Sequence, residues 1–165
     1  VLNYVLRRHP HLKGVIATAP WLRLAFEPPA SKIALGKMTN CIWPSFSQKS
    51  GLDTRALSHD LEAVHTYEND PMIHDRISAR MFISAYQAGQ WALEHASEFS
   101  LPLLLMQGGA DKIISVEADR EFAGKIKENC TLKIWDNLYH EIHNESEKEE
   151  VFKFLIDWIY KKVAE

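Results

Sequence analysis

Among the residues able to carry out chemistry, Asp111 and His140 stand out because each comes shortly after a predicted strand. Asp111 follows the apolar run 101–106 and a pair of glycines, and His140 lies in the loop after the run 131–135. Short apolar runs bounded by glycine or turn residues are typical of strands buried in a parallel sheet. Because such strands end at one edge of the sheet, we expect the carboxylate and the imidazole to lie close together.

An imidazole held by a carboxylate is the part of many hydrolases that activates a serine hydroxyl. The imidazole takes the hydroxyl proton with one ring nitrogen, while the carboxylate accepts a hydrogen bond from the other and stabilises the imidazolium that forms. An acid that precedes the histidine along the chain matches the second half of the order Ser, Asp, His. The nucleophile motif Gly-x-Ser-x-Gly is absent from the 165 residues, so they offer an acid and a base without the serine.

Other residues compete for the same roles. Asp119 and Asp136 are alternative acids, although the first falls inside a predicted helix and the second lies very close to the histidine loop. His143 is an alternative base, three residues beyond His140. A metal site in the run His-Glu-Ile-His is disfavoured, because this run lacks the one-turn spacing of the zinc protease motif and lies in a loop. We therefore expect no metal ion.

The segments around Asp111 and His140 resemble those of a known family. Two segments carry the resemblance: Leu-Met-Gln-Gly-Gly-Ala-Asp-Lys-Ile and Leu-Tyr-His-Glu-Ile-His-Asn-Glu. They are similar to the acid and histidine segments of one branch of the α/β-hydrolases. This branch contains the monoacylglycerol lipases and lysophospholipases, which are also called serine aminopeptidase-like hydrolases. The resemblance implies that Asp111 is the triad acid, that His140 is the base, that the substrate is a small lipid or ester and that no cofactor takes part. It also places the missing serine a few residues before Val1, so this chain alone is expected to be inactive.

The elements that must position these residues form an α/β fold. We expect a partial α/β-hydrolase core of late parallel strands and flanking helices over 1–20 and 77–165, with a small, mainly helical cap or lid inserted over 21–76. The last predicted helix opens with Ser-Glu-Lys-Glu, which has the spacing of a capping box. Apolar periodicity predicts a buried strand over 13–19 and helices near 1–9, 57–67, 78–98, 115–129 and 146–163.

The predicted cap is where substrate choice is expected to lie, since inserted loops at the carboxyl edge of a sheet often form lids. Prolines, glycines and serines interrupt short apolar patches there. Six apolar residues are candidates to line an acyl-chain tunnel, and the alternative is that they form the small core of the cap itself. They are Leu22, Leu24, Phe26, Ile42, Trp43 and Phe46.

Composition and charge exclude several classes of function. A net charge of -3 with no basic stripe argues against nucleic-acid binding. Cys41 and Cys130 are far apart and lack the Cys-x-x-Cys spacing, which favours idle thiols in a reducing compartment. No apolar run is long enough to span a bilayer. We therefore expect a cytoplasmic location, with peripheral membrane contact through an apolar cap as the remaining membrane hypothesis.

Two expectations concern partners and an alternative function. Val1 stands inside a helical pattern without a cap, which indicates that residues precede it in the complete protein. Strand 13–19 would then be an exposed edge of the sheet. We expect its free side to pair with the N-terminal remainder of the enzyme or with a second copy of this chain. The alternative to a serine ester hydrolase is a non-catalytic, hydrolase-derived module that binds lipid or a partner without turnover.

Overall fold

A computed structural model describes residues 1–164 of the chain. Short 3₁₀ turns at 54–56, 96–98, 127–129 and 142–144 connect the main elements. In chain order these are α1 (Leu2–Arg8), β1 (Val15–Thr18), α2 (Ala30–Ile42), β2 (Ser47–Lys49), α3 (Leu61–Asn69), β3 (Arg76–Ser78), α4 (Ala79–Glu94), β4 (Leu103–Gly108), α5 (Val116–Ile126), β5 (Cys130–Trp135) and α6 (Lys148–Ala164).

Three of the strands form a parallel sheet in the order β1-β4-β5. All six residues of the central strand β4 are buried, as expected for a strand covered on both faces. Leu103 and Leu105 pack with α1, α4 and α5 on one face, whereas Leu104 and Met106 pack with α6 on the other. This alternation explains why the run 101–106 is apolar throughout: both faces of the strand need apolar side chains.

The helices other than α2 follow the apolar periodicity of the sequence, with shifts at their ends; no helix was predicted over Ala30–Ile42, where none of the residues is buried. Helix α4 begins after Ser78, whose hydroxyl accepts a hydrogen bond from the Met81 N–H, and α5 begins after Ser115, which caps Ala118 N–H in the same way. Helix α3 starts at Leu61, later than expected. The capping box predicted for the last helix is wrong in position, because Ser146 lies in a turn and α6 begins at Lys148.

Residues 21–76 contain the helices α2 and α3 and the short strand β2, joined by irregular segments. β2 pairs antiparallel with β3, which reaches Ser78. Helix α2 packs against α4 where Gly36 faces the Ile83 side chain, yet none of its own residues is buried. The role of this region as a cap remains a prediction.

One side of β1 is paired with β4, and among residues 1–164 no strand pairs with its other side. This is the edge position expected for strand 13–19. None of the helices in the same residues is both long and apolar enough to cross a membrane.

Two helical glycines allow a matched test of the packing. In α4, a methyl group on Gly89 would overlap the backbone carbonyl oxygens of Trp21 and Leu22, whereas in α5 a methyl group on Gly124 would meet nothing within 4 Å. Overpacking typically costs about 1–3 kcal/mol, and an open helical Gly→Ala change stabilises by about 0.5–1 kcal/mol. We expect Gly89→Ala to lower and Gly124→Ala to raise the free energy of unfolding, measured by urea titration. Equal effects of the two changes would contradict the close approach of α4 to residues 21–22.

Candidate active site

Asp111 and His140 are hydrogen-bonded to each other at the carboxyl edge of the sheet. The distance from His140 Nδ1 to Asp111 Oδ2 is 2.9 Å. The Asp111 side chain is fully buried, whereas 24% of the His140 side chain is exposed. Among the described residues, His140 Nε2 has no hydrogen-bond partner, which leaves this nitrogen available to a further group.

Four hydrogen bonds hold the buried Asp111 carboxylate. Its Oδ1 accepts from the backbone N–H groups of Ile113 at 2.7 Å and Ile114 at 3.0 Å, and its Oδ2 accepts from Gln107 Nε2 at 3.1 Å as well as from His140. Burial raises the pKa of Asp111, but the hydrogen bond from His140 and those from the two backbone N–H groups outweigh it, so the pKa is lowered. The ionised carboxylate therefore favours the imidazole tautomer that carries its proton on Nδ1.

Gln107 was not anticipated as part of this site. It is fully buried in β4, and its Nε2 donates both to Asp111 and to the Ile114 carbonyl oxygen at 3.0 Å. These two hydrogen bonds hold the turn that carries Asp111 against β4. The available signal was a polar residue inside an otherwise apolar strand, four positions before the predicted acid.

The pair of glycines after β4 brings the acid and base loops into contact. A methyl group on Gly108 would overlap the carbonyl oxygens of Leu138 and Tyr139, so the base loop lies directly on this backbone. The Gly109 N–H donates to the Trp135 carbonyl oxygen at 2.8 Å, and the Ala110 N–H donates to the Leu138 carbonyl oxygen at 3.0 Å. Glycine is needed at position 108 because no other residue leaves room for this approach.

The competing residues do not join the pair. Asp119 is fully buried in α5, and neither of its carboxyl oxygens has a partner among the described residues. Asp136 and His143 are exposed, and no hydrogen bond joins either side chain to His140. Within residues 1–164, no group of three or more histidine, cysteine or acidic side chains is arranged to hold a metal ion.

The six residues predicted to line an acyl pocket lie in three settings. Leu22 is 2% exposed and belongs to the core on the α4 side of the sheet, which favours the structural interpretation for this residue. Leu24 forms an isolated backbone bridge with Ile114 beside the acid. The other four are exposed: Phe26, Ile42, Trp43 and Phe46. The ring centroids of Trp43 and Phe46 are 5.5 Å apart. Their role in substrate binding remains a prediction.

Residues 21–76 are attached to both loops of the candidate site. Near the acid, the Ala25 N–H donates to the Ile113 carbonyl oxygen and the Ser115 N–H donates to the Arg23 carbonyl oxygen, both at 2.9 Å. Near the base, the Glu141 N–H donates to the carbonyl oxygen of Leu57 at 2.8 Å. The region is therefore fixed at two points on the rim of the site.

The chain is similar to several known proteins. The family model described as serine aminopeptidase, S33 matches residues 1–147. An uncharacterised abhydrolase domain-containing protein of Dictyostelium discoideum is 31% identical over 98% of this chain and 18% of its own length, and phospholipase YtpA of Bacillus subtilis is 30% identical over 89% and 58%. The chain thus spans only part of these relatives.

A solved structure supports the fold. The crystal structure of the monoacylglycerol lipase of Paleococcus ferrophilus superposes with a TM-score of 0.92 at 31% identity, covering 98% of this chain and 63% of that one. The predicted fold class, a partial α/β-hydrolase fold, is thereby confirmed.

The buried Asp119 gives a prediction for pH dependence. Burial and then the negative charge of Asp111 raise its pKa to about 8, against 3.8 for an aspartate in water. The folded chain therefore keeps a proton that the unfolded chain loses above about pH 4, so stability falls as the pH rises towards 8 and levels off above that. We expect Asp119→Asn to remove this slope and to raise the free energy of unfolding at pH 7 by up to about 4 kcal/mol.

Urea unfolding at pH 5 and pH 8 measures the effect. The matched control is Asp136→Asn, which changes an exposed aspartate in the same way. If Asp119→Asn changed the stability equally at the two pH values, Asp119 would not be protonated in the folded chain.

Proposed function

Because the chain belongs to the serine aminopeptidase S33 family, and so to the α/β-hydrolases of the monoacylglycerol lipase and lysophospholipase type, we propose that it supplies the acid and the base of a Ser-Asp-His triad in a carboxylic ester hydrolase. Asp111 is the acid and His140 the base. The observation that carries the proposal is the 2.9 Å contact between the buried carboxylate and His140 Nδ1, which leaves Nε2 without a partner among the described residues.

The reaction follows from this geometry. His140 Nε2 takes the proton of the nucleophilic serine as its oxygen attacks the ester carbonyl carbon, and Asp111 stabilises the imidazolium. The imidazolium then returns the proton to the leaving alcohol, an acyl-enzyme remains, and a water molecule activated by the same nitrogen releases the acid.

We place the nucleophile in residues that precede Val1 in the complete protein. Two observations support this position: the Gly-x-Ser-x-Gly motif is absent from the 165 residues, and the chain covers only 58% of the length of the phospholipase YtpA that it resembles. The strand that leads to the serine would pair with the free edge of β1, and the backbone N–H groups of the oxyanion hole would come from the same part of the protein. The chain by itself would then be inactive, or would self-associate through this edge.

The substrate class we propose is monoacylglycerols, lysophospholipids or related esters. Residues 21–76, which we call the proposed cap, are fixed to both catalytic loops and carry exposed apolar side chains at Phe26, Ile42, Trp43 and Phe46. Apolar side chains on such a lid would contact an acyl chain and would also allow contact with the membrane that holds the substrate. The names of the similar proteins, a phospholipase and a monoacylglycerol lipase, agree with this class.

The triad assignment predicts the effect of removing the acid. In the complete hydrolase that contains this chain, Asp111→Asn is expected to lower kcat on a short ester by about ten-thousand-fold, because the imidazole loses the carboxylate that orients and stabilises it. Asp136→Asn, at an exposed aspartate after β5, is the matched control and should leave kcat unchanged.

Labelling by a fluorophosphonate probe separates the two functions under consideration. An esterase should be labelled at its serine, and His140→Ala should slow the labelling sharply. A protein that binds fatty acid without being labelled or turning over esters would instead be the non-catalytic module.

The proposed cap makes a second prediction, on chain length. Trp43→Ser should raise KM about tenfold for a long-chain monoacylglycerol and leave KM for a two-carbon ester unchanged, since only a long chain buries apolar surface against the ring. Tyr160→Ser, which removes an aromatic ring that is 72% exposed on α6, is the control. Equal effects of Trp43→Ser on both esters would argue against an acyl-chain contact.

A further inference from the structure

The loop that carries His140 contains a second buried carboxyl group, which the triad does not use. Glu145 has no exposed surface, yet lies among hydrogen-bond donors. Its Oε1 accepts from the Tyr139 N–H at 2.6 Å, and its Oε2 accepts from the His59 N–H at 3.0 Å. The ring Nδ1 of His59 lies 3.1 Å and 3.2 Å from the two oxygens. The buried charge is thus well satisfied, in contrast to the carboxyl group of Asp119.

These bonds act on the backbone next to the base. Tyr139 directly precedes His140, so the bond from its N–H to Glu145 fixes the peptide that sets the position of the imidazole. Removing the carboxylate would leave the Tyr139 N–H and the His59 N–H, both in partly buried hydrogen bonds, without their acceptor. The loss of an acceptor away from bulk water typically costs more than the hydrogen bond contributes. A relaxation of this loop by a fraction of an ångström would move the imidazole away from the acid.

The same carboxylate joins the base loop to the proposed cap. Ser58 and His59 lie between the 3₁₀ turn 54–56 and α3, within residues 21–76. The Ser58 hydroxyl lies 2.8 Å from the carbonyl oxygen of Asn144, to which it donates, and 3.3 Å from Glu145 Oε2. Together with the bond from the Glu141 N–H to Leu57, these contacts fasten this part of the proposed cap to both ends of the base loop.

The side chain of Tyr139 connects the same contacts to the acid loop. The imidazole of His59 stacks on the ring of Tyr139, with centroids 3.6 Å apart. The Tyr139 hydroxyl accepts a hydrogen bond from Lys112 Nζ at 3.0 Å, and Lys112 directly follows Asp111. The acid loop, the base loop and residues 58–59 are therefore held together around Glu145 and Tyr139.

We propose that Glu145 is a positioning residue for the His140 base. Because Glu145 also binds Ser58 and His59, the alignment of the base depends on the position of the proposed cap against the base loop. The inference rests on the proposed function, since the alignment of His140 affects a rate only if His140 is the base. Glu145 touches neither substrate nor the reacting atoms in this scheme. It acts through the peptide of Tyr139.

The test uses the complete hydrolase that contains this chain, with p-nitrophenyl butyrate as substrate and at temperatures well below each variant's Tm. In Glu145→Gln the side chain keeps its size, but one acceptor oxygen becomes an NH₂ group that faces the donors. A small displacement of a catalytic group can lower the rate by about a hundredfold, so we expect kcat to fall by about 10- to 100-fold with KM within about twofold of the wild type.

A matched core variant separates positioning from stability. Ile126 is 7% exposed at the end of α5, near the amino ends of the strands and away from the candidate site. Ile126→Ala should lower Tm while leaving kcat unchanged. The proton NMR signal of the His140 Nδ1–H should shift or broaden in Glu145→Gln and stay unchanged in Ile126→Ala, which a purely structural role of Glu145 would not produce.

The outcomes distinguish the inference from the proposed function. Wild-type kcat and an unchanged Nδ1–H signal in Glu145→Gln, with Asp111→Asn inactive, would overturn the inference and leave the triad intact. Full activity of Asp111→Asn would overturn the proposed function itself.

If Glu145→Gln does not fold, His59→Phe decides, because it keeps the ring stacked on Tyr139 and removes only the Nδ1 contact at a half-exposed site. A fall in kcat of about threefold or more then supports the inference, and a wild-type kcat overturns it.

Discussion

A negative charge buried on Asp111 is the feature on which this edge of the sheet depends. Taking a carboxylate out of water is costly unless donors replace the solvent. Here two backbone N–H groups, the Gln107 amide and the His140 imidazole do so. Asp119, which is buried more completely, shows the other result: neither of its oxygens has a donor among the described residues, and burial followed by the charge of Asp111 raises its pKa to about 8, so it holds a proton at neutral pH. Hydrogen-bond donors, rather than burial alone, decide which aspartate can orient an imidazole.

The sequence predicted the parts of the structure that local patterns encode. The fully apolar run before Gly108 indicated a strand covered on both faces, and the places of Asp111 and His140 after two strands indicated that they would meet. The edge position of strand 13–19 was also expected, and β1 lies at the edge of the sheet in the part of the chain that the structure describes. The predictions for β4 and for the turn after it succeeded because that strand and turn are determined by residues close together in sequence.

The parts that were missed depend on contacts between distant segments. Glu145 looked like an ordinary charged residue ahead of a helix, and only the folded chain brings Ser58 and His59, some 86 positions away, to its oxygens. Placing Glu145 in the interior also accounts for the late start of α6, since residues 146–147 must first turn the chain outward. Leu22 is as apolar as the exposed candidates for the acyl pocket, and apolar character alone does not distinguish a core position from an exposed one.

The pairing of β1 with β4 also constrains how the protein is made. Val15 pairs with Leu103, and β4 in turn needs β5, whose last residue is Trp135. During synthesis, β1 cannot pair with β4 until the whole segment that includes α2, α3 and α4 has left the ribosome. Such long-range parallel pairing makes folding slow, and an unpaired apolar strand is prone to aggregate in the meantime. The side of β1 that pairs with β4 is therefore a surface that a chaperone would protect until β4 has been made.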